Sequence, residues 1–71
     1  MTAKEINGLI KDGQKMGRNV YLIPVDVSDD PVRIIAAKKK ENVLFVKSLS
    51  SGKWLKVGEK DEVSSGRVFA A

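Results

Sequence analysis

The sequence has no cysteine and no histidine, and only two prolines and four aromatic residues occur among its 71 positions. Without cysteine there can be no disulfide and no thiolate nucleophile, and without histidine the usual zinc sites and imidazole bases are excluded as well. No apolar run approaches the roughly 18 residues that suggest a membrane span. Residues 1–14 also hold no uninterrupted apolar stretch, so we expect no secretory signal. A chain without cysteine suits a reducing interior, and we expect a cytoplasmic protein.

The remaining polar residues offer little for catalysis. The serines fall in predicted turns or at their edges, where no base is identifiable that could activate a hydroxyl. The acidic stretch DVSDDP, which includes Asp26, Asp29 and Asp30, lacks the spaced oxygen ligands and central glycine of a calcium-binding loop. We interpret it as a turn stabilised by side-chain hydrogen bonds beside a proline. No phosphate-binding glycine motif is present. We therefore expect a non-enzymatic protein that uses no metal and no cofactor.

Length and composition predict one small folded domain that spans residues 1–71. A chain of this size buries only about 60% of the surface that its unfolded form exposes, so a single core is the limit. Its 42% hydrophobic content is ordinary for a globular protein, and apolar residues occur throughout. There is no internal repeat, low-complexity tract or linker. The sequence divides into a helical segment, residues 1–18, and a strand-rich segment, residues 19–71.

Residues 2–16 are typical of a short amphipathic helix. Thr2 and Glu5 match the capping-box pattern, in which each side chain accepts a hydrogen bond from the other residue's free backbone amide. Gly17 is a suitable stop, because glycine adopts the left-handed conformation that ends many helices. Gly8 and Gly13 weaken the helix, since each costs about 1 kcal/mol relative to alanine. The apolar stripe at helical spacing comprises Ile6, Leu9, Ile10 and Met16.

Residues 19–27, NVYLIPVDV, form the strongest strand candidate. Alternation places Val20 and Leu22 on one face of the strand. The other face carries Tyr21, Ile23, Val25 and Val27. Apolar residues on both faces indicate a strand that is covered on two sides. Pro24 cannot donate a hydrogen bond to a neighbouring strand, so we expect a free edge or a bulge there. The SDDP sequence that follows predicts a turn.

The segment after this turn allows two interpretations. Asp30 and Pro31 could serve as the cap and first residue of a second helix, with lysines near its C-terminal end as the helix dipole prefers. However, residues 32–37 are rich in β-branched side chains and lack a 3.6-residue stripe. We favour a hairpin of residues 32–37 and 43–49, joined by a KKKEN loop.

Three further signals complete a predicted antiparallel meander. The SSG sequence at residues 50–52 supplies a glycine for positive φ, so KWLKV should fold back on the preceding strand. Gly58 and the charged EKDE segment predict another turn, and residues 67–71 predict a last short strand with Gly66 as its hinge. The fold class is therefore α+β, with a short N-terminal helix followed by a four- or five-stranded antiparallel meander. The architecture is similar to SH3-like barrels, into which such a meander could curl.

Positive charge is concentrated in one part of the chain. Residues 38–56 hold six lysines and one glutamate, a net charge of +5 that exceeds the +4 of the whole protein. Lysines bind phosphates by displacing condensed counterions, which requires no particular geometry and reads no base sequence. The plain alternative for the three consecutive lysines is a solvated hairpin tip, where charge keeps sheet edges from pairing. The candidate nucleic-acid-binding residues are Lys38, Lys39, Lys40, Lys47, Lys53, Trp54 and Lys56.

Trp54 is the aromatic residue best suited to contact a base. In KWLKV, Leu55 and Val57 share a face, so alternation places Trp54 and Lys56 on the opposite one. A one-residue shift of strand register would turn the tryptophan inward, and a lone tryptophan in a small protein more often contributes to the core or to its edge. Both interpretations remain open. The other aromatic residues, Tyr21, Phe45 and Phe69, are interpreted as core.

These observations favour a small non-enzymatic binding module whose partner is nucleic acid or another polyanion. The alternative is a protein-interaction adaptor or small accessory subunit. It would use an exposed sheet edge, which can accept an extended strand from a partner. It would also use the apolar C-terminal residues Val68, Phe69, Ala70 and Ala71. The oligomeric state stays open. A phosphate-binding protein should lose affinity steeply with salt, whereas an adaptor should not.

Overall fold

The computed structural model describes residues 1–24, 30–60, 62–63 and 66–71. Its elements are α1 (Ala3–Lys15), β1 (Val20–Pro24), β2 (Val32–Lys40), β3 (Val43–Ser48), β4 (Trp54–Glu59) and β5 (Gly66–Ala70). All neighbouring strands are antiparallel, in the spatial order β4-β3-β2-β1-β5. The predicted α+β class, with a short N-terminal helix and an antiparallel meander, is confirmed. No helix in these described ranges is long and apolar enough to cross a membrane.

The helix α1 begins and ends close to where the sequence predicts. The Glu5 amide donates to the Thr2 hydroxyl at 3.2 Å, and the Thr2 amide donates to the Glu5 carboxylate at 3.0 Å, so the capping box is present. Gly17, with a φ of 69°, ends the helix in the left-handed conformation. Met16 is the exception. It is 68% exposed because it occupies the C-cap, where the chain already leaves the helical path, and its predicted place in the apolar stripe is wrong.

Gly13 has a packing role that its low helix propensity conceals. It is buried, and a Cβ atom there would lie 3.0 Å from the Arg18 carbonyl oxygen. The Arg18 amide donates to the Gly13 carbonyl at 2.7 Å, so the chain folds back closely over this position on its way to β1. At Gly8, by contrast, a Cβ atom would lie in open space. Close packing therefore explains why residue 13 is a glycine, but it does not explain the glycine at position 8.

β1 lies in the interior of the sheet, between β2 and β5. Val20 and Leu22 are buried on one face, as alternation predicts. Pairing with β2 ends at Leu22, opposite Val32, so Pro24 lies beyond it and pairs with Gly66 of β5. The predicted free edge at the proline is confirmed on the β2 side. Two predicted strand positions, Val25 and Val27, lie outside the described residues, as does the first half of the SDDP turn.

The junction of β1 and β5 requires a glycine. A Cβ atom on Gly66 would lie 2.6 Å from the Ile23 carbonyl oxygen and 2.9 Å from a methyl carbon of Leu22. The two backbones approach each other too closely there for any side chain. The predicted final strand is confirmed, with Gly66 as its first residue.

β2 confirms the hairpin interpretation of residues 32–37, and the second helix is absent from this described segment. The predicted KKKEN loop is wrong, however, because β2 continues through all three lysines to Lys40. Lys40 pairs with Val43, which leaves only Glu41 and Asn42 in the turn. Their φ angles of 52° and 65° are both positive, as a two-residue hairpin turn of type I′ requires. The lysines are therefore strand residues that project from defined faces of the sheet.

A β-bulge interrupts β2 at Ile35. Ile34 and Ala36 pair with consecutive residues of β3, so Ile35 has no partner of its own there. The extra residue allows Ile34 and Ala37, three positions apart, both to be buried in the same core. This bulge explains why the apolar residues of the segment show no regular two-residue alternation.

The connections at the two ends of β4 differ in how well they match the sequence pattern. Before β4, Gly52 has a φ of 67°, as predicted for the SSG turn. After β4 the predicted turn in EKDE is present, since the Glu62 amide donates to the Glu59 carbonyl at 3.1 Å and Lys60 has a positive φ. The predicted role of Gly58 in that turn is wrong, because Gly58 is buried inside the strand opposite Leu44. In the described part of the chain, β4 and β5 each pair with one neighbour only. No strand pair there closes the sheet into a barrel.

α1 packs mainly on β2 and covers one face of the sheet, which we call the covered face. The buried core comprises Ala3, Ile6, Val20, Leu22, Ile34, Ala37, Leu44, Val46 and Val57. The Asn7 side-chain amide donates to the Ala37 carbonyl at 2.8 Å, and its oxygen accepts from the Ala37 amide at 2.9 Å. Ala37 lies beyond the last β1–β2 pair, so Asn7 takes the place of a neighbouring strand. The opposite side of the sheet is the outer face.

Candidate nucleic-acid interface

Five side chains of β2, β3 and β4 form a cluster on the outer face. The lysine–tryptophan cluster comprises Lys38, Phe45, Lys47, Trp54 and Lys56. Each of them is next in sequence to a residue that belongs to the core or packs against it, so strand alternation turns it outward. In the register of the sheet, Phe45 lies between Lys38 and Lys56, and Lys47 lies opposite Trp54.

Contacts between cations and rings connect four of the five members of this cluster. The Lys38 Nζ lies 4.3 Å from the centre of the Trp54 ring and 5.8 Å from the centre of the Phe45 ring. The Lys47 Nζ lies 6.0 Å from the centre of the Trp54 ring. Such contacts are worth about 0.5–1 kcal/mol at exposed sites. Two lysines from neighbouring strands therefore converge on one tryptophan.

Trp54 lies at the surface of the protein. It is 38% exposed, whereas Val57 is buried and Leu55 packs against the core. The register that alternation predicts for KWLKV is confirmed, and the interpretation of Trp54 as a core residue is wrong. β4 is an edge strand in the described part of the sheet, so no further strand shields the ring on that side.

Among the residues that the structure describes, one lysine of the cluster is paired with a carboxylate and two are not. The Lys56 Nζ lies 3.2 Å from a Glu59 carboxylate oxygen, and both side chains are more than half exposed. Surface pairs of this kind contribute little to stability. Within the described ranges, Lys38 and Lys47 form no ion pair. Neither ammonium group is therefore neutralised by a carboxylate of the described residues.

The seven candidate binding residues do not all lie together. Lys38, Lys47, Trp54 and Lys56 belong to the lysine–tryptophan cluster. Lys40 is two residues from Lys38 along β2 and shares the outer face. Lys39 pairs with the core residue Leu44, so its side chain leaves the sheet on the covered side. Lys53 is exposed in the turn before β4.

Three aromatic residues lie where the sequence does not predict them. The core interpretation of Tyr21, Phe45 and Phe69 is wrong, because each is half-buried on the outer face and none belongs to the core cluster. A signal for Phe45 exists in VLFVKS, where it alternates in step with Lys47. No such signal exists for Tyr21, since apolar residues occupy both faces of β1. All four aromatic residues of the chain therefore lie on the outer face.

Two of these rings form a second cluster, on the outer face of β1, β2 and β5. The Tyr21 and Phe69 rings stack with 5.7 Å between their centroids and 26° between their planes. The Arg67 guanidinium carbon lies 5.9 Å from the centre of the Phe69 ring, and Arg33 pairs with Tyr21 in the register. We call these four residues the arginine–tyrosine cluster. Its two rings cover each other, unlike the exposed Trp54 ring.

Metal-binding groups and similarity to known proteins are two further kinds of feature that could indicate a function. Among the residues that the structure describes, no group of three or more histidine, cysteine, aspartate or glutamate side chains could hold a metal ion. No protein-family model, no curated protein and no solved structure matches the chain. The candidate function therefore depends on the geometry and charge of the outer face.

Proposed function

We propose that this protein is a small non-enzymatic binding module that holds nucleic acid, or another polyanion, on the lysine–tryptophan cluster. One observation carries the proposal. Lys38 and Lys47 converge on the exposed Trp54 ring and have no carboxylate partner among the described residues. Cations beside an exposed ring form a combination that can contact a phosphate and a base together.

The spacing of the lysines suits an extended anionic chain. Neighbouring strands of a sheet lie about 4.8 Å apart, so Lys38 on β2, Lys47 on β3 and Lys56 on β4 span a band about 10 Å wide. The lysine side chain is a flexible stem with three rotatable donors, so each ammonium can follow a phosphate without a fixed geometry. Such a band supports affinity through charge, with no readout of base sequence.

Protein binding is the second candidate function, and the open edges of the sheet favour it. In the described chain β4 pairs only with β3 and β5 only with β1, so each edge could accept a partner strand. The apolar C-terminal residues are less available for this role, because Val68 and Ala70 pack against the core and Phe69 stacks on Tyr21. A protein partner would therefore use an edge and would not depend on the lysines of β2 and β3.

Binding measured as a function of salt tests the proposal. The protein would be titrated with labelled single-stranded and duplex oligonucleotides at two salt concentrations. The expected slope of log affinity against log salt is about −0.7 for each phosphate contacted on a single strand and about −0.9 on a duplex. The double variant Lys38→Gln/Lys47→Gln should weaken binding and flatten this slope.

The matched control is Lys4→Gln/Lys11→Gln, which removes the same net charge from the exposed surface of α1. It should leave the affinity and the slope close to those of the wild type. Equal effects of the two double variants would contradict a local binding surface on the sheet. If no salt-dependent binding occurs at low ionic strength, the proposal is overturned and the protein-binding role is favoured.

A further inference from the structure

We infer that the nucleic acid bound here is single-stranded, and that one of its bases stacks on the indole ring of Trp54 where the Lys38 ammonium now lies. This inference rests on the proposed function and specifies the form of the ligand. The ring contacts the base, while Lys38 and Lys47 contact the flanking phosphates.

The Trp54 ring is accessible at an edge of the described part of the sheet. Trp54 is the first residue of β4, an edge strand in the described part of the sheet, and it is 38% exposed. A base can stack on a protein ring only if one of its own faces is free. In a duplex the neighbouring pairs cover both faces of an internal base, whereas the bases of a single strand can be unstacked and splayed out. The ring therefore discriminates in favour of single strands.

The position of Lys38 indicates which surface of the ring the base would use. Its Nζ lies 4.3 Å from the ring centre, within the range of a cation–π contact. This attraction is weak at an exposed site, and a base offers the ring a larger contact area, so the base can displace the ammonium. The displaced ammonium stays beside the ring, where it meets a phosphate of the stacked nucleotide. The Lys47 Nζ, 6.0 Å from the ring centre, is close enough to contact an adjacent phosphate.

The arginine–tyrosine cluster is not an equivalent site for a base. Tyr21 and Phe69 already stack on each other, and Arg67 lies 5.9 Å from the centre of the Phe69 ring. Each ring therefore has one face covered by the other, and both side chains are half-buried, so less ring surface is open to a base here than at Trp54. We therefore expect one stacked base per chain, at Trp54, with little preference among the bases because each has a π-face.

The fluorescence of Trp54 reports on this site directly, because the chain has no other tryptophan. Three probes are compared at low salt: a short oligothymidylate, a duplex of the same length, and inorganic polyphosphate. The oligothymidylate should quench the emission strongly, since a stacked base contacts the indole. Polyphosphate should bind through the lysines with little quenching.

Substitution of the ring separates stacking from charge. For Trp54→Leu we expect the affinity for oligothymidylate to fall about 5- to 150-fold, which is the range for the loss of one stacked base. Its affinity for duplex and polyphosphate should change little, and its salt slope should not change, because stacking releases no counterions. Trp54→Phe keeps a ring and should retain most of the affinity. Lys38→Gln should have the opposite pattern. It should flatten the dependence of affinity on salt, while oligothymidylate should still quench the Trp54 emission.

The outcomes distinguish this inference from the proposed function. If Trp54→Leu binds oligothymidylate as tightly as the wild type, or if polyphosphate quenches equally, the inference is wrong. The proposed function would survive both results, provided that salt-dependent binding still required Lys38 and Lys47. No salt-dependent binding of any probe would overturn both. If Trp54→Leu loses its cooperative unfolding transition, the affinity of Trp54→Phe and the quenching of the wild type decide the question.

Discussion

The covered and outer faces of the sheet contain different kinds of apolar residue. The covered face and the helix bury aliphatic side chains, of which Ile6, Leu44, Val46 and Val57 are at most 1% exposed. The outer face holds all four aromatic residues, interspersed with lysine and arginine. Large rings usually contribute most to a small core, so this distribution is the opposite of the common one. The difference indicates that aliphatic packing specifies the fold, while the rings lie on the outer surface of the sheet.

Alternation produces this difference within single strands, and β3 shows it best. Leu44, Val46 and Ser48 are buried, while Phe45 and Lys47 lie on the outer face. Because neighbours along a strand point to opposite faces, a substitution at one position tests one face and the adjacent substitution tests the other. Pairs of neighbouring variants can therefore test whether the two faces differ as described.

The largest effect is expected at Leu44. Leu44→Ala leaves a cavity in the core and should lower the free energy of unfolding by about 2–5 kcal/mol. Phe45→Ala removes a larger side chain, but Phe45 is only half-buried, so its cost should be less than half of that at Leu44. Urea denaturation followed by circular dichroism measures both values. Equal losses of stability at the two positions would contradict the difference in packing between the covered and outer faces.

The next largest effect concerns the attachment of α1 to the covered face. Asn7→Ala removes both hydrogen bonds to the Ala37 backbone and should lower the free energy of unfolding by about 1–3 kcal/mol, since it deprives a part-buried N–H and C=O of their partner. Gln14→Ala, an exposed amide on the same helix, is the control and should change stability by less than about 0.5 kcal/mol. Thermal unfolding compares the two. A neutral Asn7→Ala would show that these hydrogen bonds do not hold the helix on the sheet.

Alanine substitutions at Gly8 and Gly13 should have different effects on stability, because Gly8 is exposed and Gly13 is buried. Gly8→Ala has open space around the new methyl group and should raise the free energy of unfolding by up to about 1 kcal/mol. Gly13→Ala brings its Cβ atom to 3.0 Å from the Arg18 carbonyl oxygen, so the gain in propensity should be cancelled or reversed. Thermal melts measure both. Equal stabilisation would mean that the chain at Arg18 moves away at little cost.

The smallest effects on stability are expected for neighbouring lysines of β2. Lys38→Gln and Lys39→Gln should each change the free energy of unfolding by less than about 0.5 kcal/mol. Their effects on binding should differ, because the Lys38 side chain lies on the outer face and that of Lys39 on the covered side. Lys38→Gln should flatten the salt slope for single strands by about 0.7, and Lys39→Gln should leave it unchanged. Identical slopes would contradict binding at the outer face.

Local signals predict most of the fold. Each of these signals acts within a few residues of sequence, and each is present in the structure. They are the capping box at Thr2, the left-handed glycines at positions 17 and 52, and the alternation in β3 and β4. The tight turn at Glu41 and Asn42 was harder to predict. Consecutive lysines are typical of loops, yet they also fit the end of a strand, where long side chains reach water from either face.

The candidate site was predictable only in part. Lys47, Trp54 and Lys56 follow from alternation with neighbours that face the core. Phe45 follows as well, because it alternates in step with Lys47. Tyr21 and Phe69 do not, because hydrophobicity alone assigns a ring to the core. For Tyr21 the choice depends on which face of β1 is covered by α1, and both faces of that strand are apolar in sequence. Only tertiary packing resolves that choice.

The bulge at Ile35 determines which face of the sheet each later residue of β2 lies on. In an uninterrupted strand, positions of the same parity as Ile34 would all point inward, so Lys38 and Lys40 would face the helix and Lys39 alone would face the solvent. The additional residue exchanges odd and even positions, which brings Ala37 into the core and Lys38 to the indole ring. One extra residue in the backbone of β2 thus decides which side of the molecule carries these charges, while the composition of the strand stays the same.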